Sequence, residues 1–293
     1  MIRLQGVVKR FRSHEVLKGI DLRMGQGDRI ALIGSNGAGK TTLIRCLLGE
    51  YGFEGAISVG GESPRANRQA VLAQVGFVPQ LPPPLKMPVG QLIRFAARVC
   101  SADPAAINAV ADQLGFDVDR YRRHSFNKLS GGQKQKLLIS IAFGRDVRLL
   151  VLDEPAANLD PAARARFYEL LAERQHDTAM LISSHRLDEV ATLVNRVVEM
   201  DQGKVTLDDR VADEISLTSQ LRCAIALSRP DEAFSKAVRE WGFEPGTMPG
   251  EWEGTVAGPD RLRFLGMLSR YAGLLTVVRM DEAPASPRLA NHG

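Results

Sequence analysis

Apolar and polar positions alternate along "MIRLQGVVKRF" and "LKGIDLRM", and "DRIALIG" follows the turn Gly25-Gln26-Gly27, so residues 1 to about 33 predict strands. "KTTLIRCLLG" has helical spacing and stops at Gly49. "GAISVGGES" predicts a hairpin-like stretch that leads through "VLAQVGFVPQ". The prolines of "LPPPLKMPVG" forbid regular helix or central strand and mark a boundary.

From there to about Gly144 the spacing turns helical, in "VGQLIRFAARV", "DPAAINAVADQLGF" and "QKQKLLISIAFG". The buried-type strand "RLLVLDEP" follows, then a helix from Pro161 to about Gln175, the strand "TAMLISSH", the helix "RLDEVATLV", and strands around "RVVEMDQGKVTL". Strands alternating with helices imply a largely parallel sheet covered on both faces. The helical stretch, about 88–144, is an insertion between its halves. After about Ser216, "QLRCAIALS", "DEAFSKAVREWGF", "EWEGTVAG", "DRLRFLGMLSRYAG" and "LLTVVRM" predict a small β-α-β-α-β domain over 216–282, with Trp241 and Trp252 in its core. The Pro/Ala-rich residues 283–293 predict a disordered tail.

Composition changes this picture little. The 293 residues are 44% apolar and 25% charged, an ordinary globular balance. Apolar runs such as "LLVL" fall short of the ~20 residues of a membrane helix, and "MIRLQGVVKRF" lacks a signal-type apolar core. The expectation is a cytoplasmic chain that does not itself cross a membrane. A net charge of +4 is scattered and gives no strong case for nucleic acid. Cys46, Cys100 and Cys223 lack the spacing of a metal site or disulfide framework.

Chemistry concentrates in two places. Gly34-Ser35-Asn36-Gly37-Ala38-Gly39-Lys40-Thr41 fits G-x-x-x-x-G-K-[ST], lies between an apolar strand and a helix, and is followed by Thr42. Glycines let the backbone wrap phosphates, Lys40 reaches the terminal ones, and the Thr41 hydroxyl suits Mg²⁺. At the end of "LLVLDEP", Asp153 is delivered to the same Mg²⁺ from a buried strand. Glu154, one residue on, can polarise an attacking water as general base. A third stretch, "KLSGGQKQK", has a loop opening a helix, a place where unpaired N–H groups favour anions. One domain thus carries two anion loops.

With "LSGGQ" between the phosphate loop and "LLVLDEP", residues 1 to about 215 resemble the ATP-binding cassette (ABC) ATPases, motif for motif and in order. The resemblance implies an α/β fold with a P-loop NTPase (RecA-like) core, an antiparallel β subdomain and an inserted helical subdomain, here followed by the small C-terminal α/β unit. It implies a head-to-tail homodimer in which each ATP lies between one subunit's phosphate loop and the other's "LSGGQ". Ser130, Gly131 and Gly132 would then bind the γ-phosphate across the interface, supported by Gln133. Phe11 matches the aromatic that stacks on adenine, where the family more often has Tyr. Gln80 matches the loop glutamine that touches Mg²⁺ and water and links to the transport partner, and His185 matches the switch histidine. "AANLD" keeps Asp160 but has Asn158 where the family has Gly, a position that often needs φ > 0 and that Asn tolerates next best.

The resemblance also implies function: an ATPase using ATP and Mg²⁺, peripheral on the cytoplasmic face of a membrane, and coupled to a separate multi-pass permease through the Gln80 loop and "LPPPLKMP". A single cassette with a short extension is similar to the exporter subgroup of drug, lipid or copper-maturation type. Sugar-type importers usually carry a longer all-β domain instead. The alternative is a soluble ABC ATPase on nucleic acid or the ribosome, but such members have tandem or split cassettes. The basic "RYRRHSF" suits a solvated face or acidic lipid better than nucleic acid.

Overall fold

The computed structural model describes residues 2–174, 178–184, 190–191, 193–210, 220–257 and 260–282. The chain divides into two compact units, one of Met1–His185 with Leu193–Arg210, the other chiefly the chain from Val211 onward.

In the first unit, β1 (Ile2–Phe11), β2 (His14–Met24) and β4 (Glu54–Val59) form an antiparallel sheet in the order β2-β1-β4. A second, six-stranded sheet runs β5 (Val75–Val78), β6 (Leu149–Asp153), β7 (Ala179–Ser183), β3 (Arg29–Ile33), β8 (Arg196–Asp201) and β9 (Lys204–Arg210). Its pairings are parallel except the β8–β9 hairpin. Every position of β6 and β7 is buried, as a central strand covered on both faces requires. Helix α1 (Lys40–Leu47) is buried through Leu43, Ile44, Cys46 and Leu47 in a core shared with Ile2, Leu17, Ile57, Val151 and Leu181. That packing fixes the loop that precedes α1. Within "VLAQVGFVPQ" the first residues are helical: α2 (Arg68–Ala73), capped by the Asn67 side chain on Ala70 N–H, precedes β5.

Between β5 and β6 come α3 (Val89–Cys100), α4 (Pro104–Gln113), α5 (Val118–Tyr121) and α6 (Gly131–Phe143). Asp103 and Asp117 cap α4 and α5, and Pro104 opens α4 where its missing N–H costs nothing. This group has its own core around Ile93, Ile107, Phe116, Phe126 and Leu137. The Pro-rich 79–88 stretch is irregular and is tied down by Phe126 N–H on Met87 O and Asn127 N–H on Leu85 O. Helix α7 (Pro161–Glu173) follows β6, whereas Gln175 and most of "RLDEVATLV" lie outside the described residues.

The second unit is a four-stranded antiparallel sheet, β11-β12-β10-β13, from β10 (Gln220–Leu227), β11 (Glu244–Pro245), β12 (Glu251–Ala257) and β13 (Leu275–Glu282). Helix α8 (Glu232–Arg239) follows β10 and α9 (Arg261–Ser269) follows β12. The short β11, absent from the sequence pattern, makes the order that of a split β-α-β arrangement. Cys223, Phe234, Phe243, Trp252 and Phe264 form its core, and Trp241 packs edge-on to Phe264 at 5.1 Å between centroids. Residues 283–293 lie outside the described residues.

Candidate nucleotide-binding site

The site lies at the carboxyl ends of β3, β6 and β7, where loops leaving a parallel sheet converge. The chain leaves β3 into the glycine loop at once. Gly34 has φ +144, and a Cβ there would collide with the Met200 carbonyl; at Gly39, φ +107, it would lie 2.9 Å from Leu17 Cδ2. Only glycine serves at both positions. Gly39 is also the N-cap of α1 and offers no side-chain acceptor, so the N–H groups of Lys40, Thr41 and Thr42 are left for a ligand. Ser35, Asn36 and Gly37 are exposed while Ala38 and Gly39 are buried.

Lys40 is 7% exposed, and its ammonium donates to the carbonyls of Gly34 (2.6 Å) and Ser35 (3.2 Å), inside the loop's own cradle. Burial lowers its pKa, opposed by the charges of Glu154 and Asp153. Those two carboxylates therefore lie in the electrostatic reach of Lys40, although they are more than a hundred residues away in sequence.

Asp153 ends β6, is 2% exposed, and is paired in register with Ser183 at the end of β7. The Ser183 hydroxyl donates to Asp153 Oδ1 at 2.5 Å. Glu154 is half-buried at φ +48, in the left-handed region; its N–H reaches Ser183 Oγ at 3.0 Å and Ser183 O at 3.2 Å. Sequence reading passed over Ser183. A serine at the end of an apolar strand carries no signal of its own, and its role depends on the β6–β7 register.

The second anion loop has another construction. Ser130 caps α6 in a full capping box: Gln133 N–H donates to Ser130 Oγ (3.2 Å), and Ser130 N–H to Gln133 Oε1 (2.9 Å). Gly131 is exposed, and a Cβ on Gly132 would lie 3.0 Å from the Asn158 carbonyl. Two further links tie α6 to the loop after β6. Buried Gln135 Nε2 donates to Pro155 O (2.9 Å), and Lys136 Nζ lies 2.7 Å from Asp160 Oδ2. The other Asp160 oxygen caps α7 on Ala163 N–H (2.9 Å), and the Lys136 bond first, then that cap, lowers the Asp160 pKa. Asp160 is thus engaged in holding its own chain together. Asn158 is not among the residues with positive φ; the left-handed residue of this loop is Glu154.

Phe11 stands at the β1–β2 turn, 41% exposed, edge-on to Tyr51 at 5.2 Å, with Lys9 Nζ 4.7 Å from its centroid. Gln80 is half-buried in the turn after β5. His185 lies outside the described residues.

A glycine cradle feeding a helix start, a buried lysine inside it and a buried carboxylate on a nearby strand end define a P-loop nucleotide-binding domain. Residues 17–157 match the ABC transporter family model. ATP-binding cassette sub-family A member 7 of Rattus norvegicus is 33% identical over 214 residues, 70% of this chain and 10% of that protein. Ribose import ATP-binding protein RbsA 1 of Burkholderia thailandensis is 37% identical over 217 residues, 70% of this chain and 42% of that protein. The chain therefore spans less than half the length of these two relatives. A dimeric ATP-binding cassette in a post-hydrolysis state, bound to ADP and Pi, superposes with a TM-score of 0.63 over 72% of this chain and 98% of its own, at 19% identity. Residues 17–157 are thus similar to the ABC transporter ATP-binding domain, with ABC proteins among the relatives.

Proposed function

We propose that the chain is the ATP-hydrolysing subunit of an ABC transporter. In this reading it works as a head-to-tail homodimer and drives a separate multi-pass membrane subunit of the exporter type, for a drug, a lipid or copper-site maturation. The observation that carries it is the pairing of the Lys40 cradle with Asp153 and Glu154 at the carboxyl end of the parallel strands. Among the described residues no helix is long and apolar enough to cross a membrane; in this reading the transport path lies in the separate membrane subunit. The small α/β unit favours the exporter subgroup; the likeness to a ribose import protein favours the opposite direction.

The site's residues suit ATP and Mg²⁺. The cradle and α1 N–H groups are shaped for a polyphosphate, and Lys40, already desolvated, would exchange its two carbonyl partners for phosphate oxygens. The Thr41 hydroxyl, Asp153 and Gln80 would hold Mg²⁺, which when bound offsets charge on the transferred phosphoryl group. Glu154 would accept the proton of the attacking water, and His185 would orient that water. Phe11 would stack on adenine. Ser130, Gly131 and Gly132 would complete the partner's site.

Replacing Glu154 by Gln removes the base and keeps the shape. Hydrolysis should fall by about 100-fold or more, and ATP should trap a dimer visible by size-exclusion chromatography. Wild-type turnover in that variant would remove Glu154 from the chemistry. Tagged Glu154→Gln protein, purified from detergent-solubilised membranes with ATP, should bring down a stoichiometric multi-pass subunit, whose class fixes direction. Recovery of ribosomal proteins or nucleic acid instead would overturn the transport reading and leave the ATPase intact.

A further inference from the structure

We propose that Ser183 is a positioning residue that sets both carboxylates of the hydrolytic site through one hydroxyl, an inference that rests on the ATPase reading above. The Ser183 side chain is fully buried at the end of an otherwise apolar strand, opposite Asp153 in the parallel β6–β7 register. A hydroxyl has one proton to give and lone pairs to receive. Here the proton goes to Asp153 Oδ1 at 2.5 Å, a short charge-assisted bond. The oxygen, so oriented, accepts the Glu154 N–H at 3.0 Å. The order Glu154 N–H to Ser183 Oγ–H to Asp153 Oδ1 is a relay of fixed polarity across two strands.

Each half of the relay has a separate consequence. Toward Asp153, the bond fixes which carboxylate oxygen faces β7 and so the rotamer of the group that would hold Mg²⁺. Toward Glu154, it helps hold a residue with a Cβ at φ +48, a backbone region that non-glycine residues keep only where their surroundings over-determine it. Without the hydroxyl the Glu154 N–H loses one of the two acceptors that Ser183 gives it and keeps the Ser183 carbonyl at 3.2 Å, so the left-handed backbone is held less firmly. Threonine has the same donor and acceptor and the χ1 stiffness suited to a strand; alanine has neither.

The test compares Ser183→Ala and Ser183→Thr with wild type in the full chain, by three measurements: steady-state ATPase parameters, calorimetric ATP affinity with Mg²⁺ and with EDTA, and amide hydrogen exchange of the 150–158 segment without nucleotide. For Ser183→Ala we expect kcat to fall at least tenfold and exchange at 150–158 to quicken at least tenfold. Affinity in Mg²⁺ should weaken, and affinity in EDTA should stay within twofold. Ser183→Thr should restore all of them to within about threefold. Unchanged kcat and exchange in Ser183→Ala would overturn the proposal, as would a Thr variant that behaves like Ala. A loss of kcat that matches only the unfolded fraction would overturn it too. If Ser183→Ala does not fold, Ser183→Cys, a weaker donor of similar size, takes its place with the same expectations. Absence of ATPase activity in the wild type would instead remove the ATPase reading, and the exchange measurement would then decide the relay alone.

Discussion

Helices α1 and α6 both have glycine at their start, both would face an anion in the proposed ATPase, and are built by opposite means. Gly39 caps α1 with a left-handed backbone and no side chain, so the helix start is open and its counter-charge, Lys40, waits buried inside the cradle. Ser130 caps α6 from an extended backbone, and the box with Gln133 satisfies the helix start from within. The first is a site before any ligand arrives. The second is a finished helix terminus that offers only the Gly131 and Gly132 N–H groups and the Ser130 hydroxyl. The proposed head-to-tail dimer asks for this difference: nucleotide held on one chain's own loop, and a second site completed by its partner. The structure also explains one glycine of the pair, Gly132. Capping needs neither, but Gly132 lets the Asn158 carbonyl pass at 3.0 Å from where a Cβ would be.

The comparison breaks most visibly at Lys40. Lys40→Ala removes charge-assisted bonds of about 2–3 kcal/mol, so calorimetry should find ATP affinity reduced about 30- to 150-fold. Thermal stability without nucleotide should change little, because the desolvation that lowers the ammonium's pKa offsets its two bonds to the Gly34 and Ser35 carbonyls. Gly132→Val comes next. Its side chain meets the Asn158 backbone, an overpacking of about 1–3 kcal/mol that should appear as a lower Tm. Dimer-dependent turnover should be lost while ATP still binds the single chain. Ser130→Ala has the smallest effect, about 1 kcal/mol for the lost cap and a Tm lower by about 2–4 °C. Single-chain ATP affinity should be unchanged. If Ser130→Ala weakened that affinity as much as Lys40→Ala, the two loops would not be the separate half-sites of the proposed dimer.

Much of the site was legible because its signals are local. The glycine loop and the strand that ends in Asp153 each place their chemistry within about ten residues, where backbone geometry follows from neighbours in the chain. The capping box was legible for the same reason. Helix α2 was not, because Arg68–Ala73 is only six residues long and its "VLA" reads equally as strand. Two-residue β11 likewise forms only through its pairing with β12. Asn158 illustrates a different failure. The family pattern pointed to a strained backbone there, and the strain sits four positions earlier at Glu154, where two acceptors from β7 hold it.

By itself the sequence determined which residue types stand together: a glycine loop with its lysine, two carboxylates at the end of an apolar strand and a second glycine loop opening a helix. Each depends on residue types at fixed, short separations. Only the tertiary structure decided how these parts act on one another. The parallel pairing of β6 and β7 sets Ser183 between Asp153 and Glu154. The packing of α6 on the 155–160 loop uses Gly132, Gln135 and Lys136, and commits Asp160 to its own chain. Burial, finally, turns Lys40 from an ordinary ammonium into one with a lowered pKa. Register, close approach and desolvation are set by residues distant in the chain.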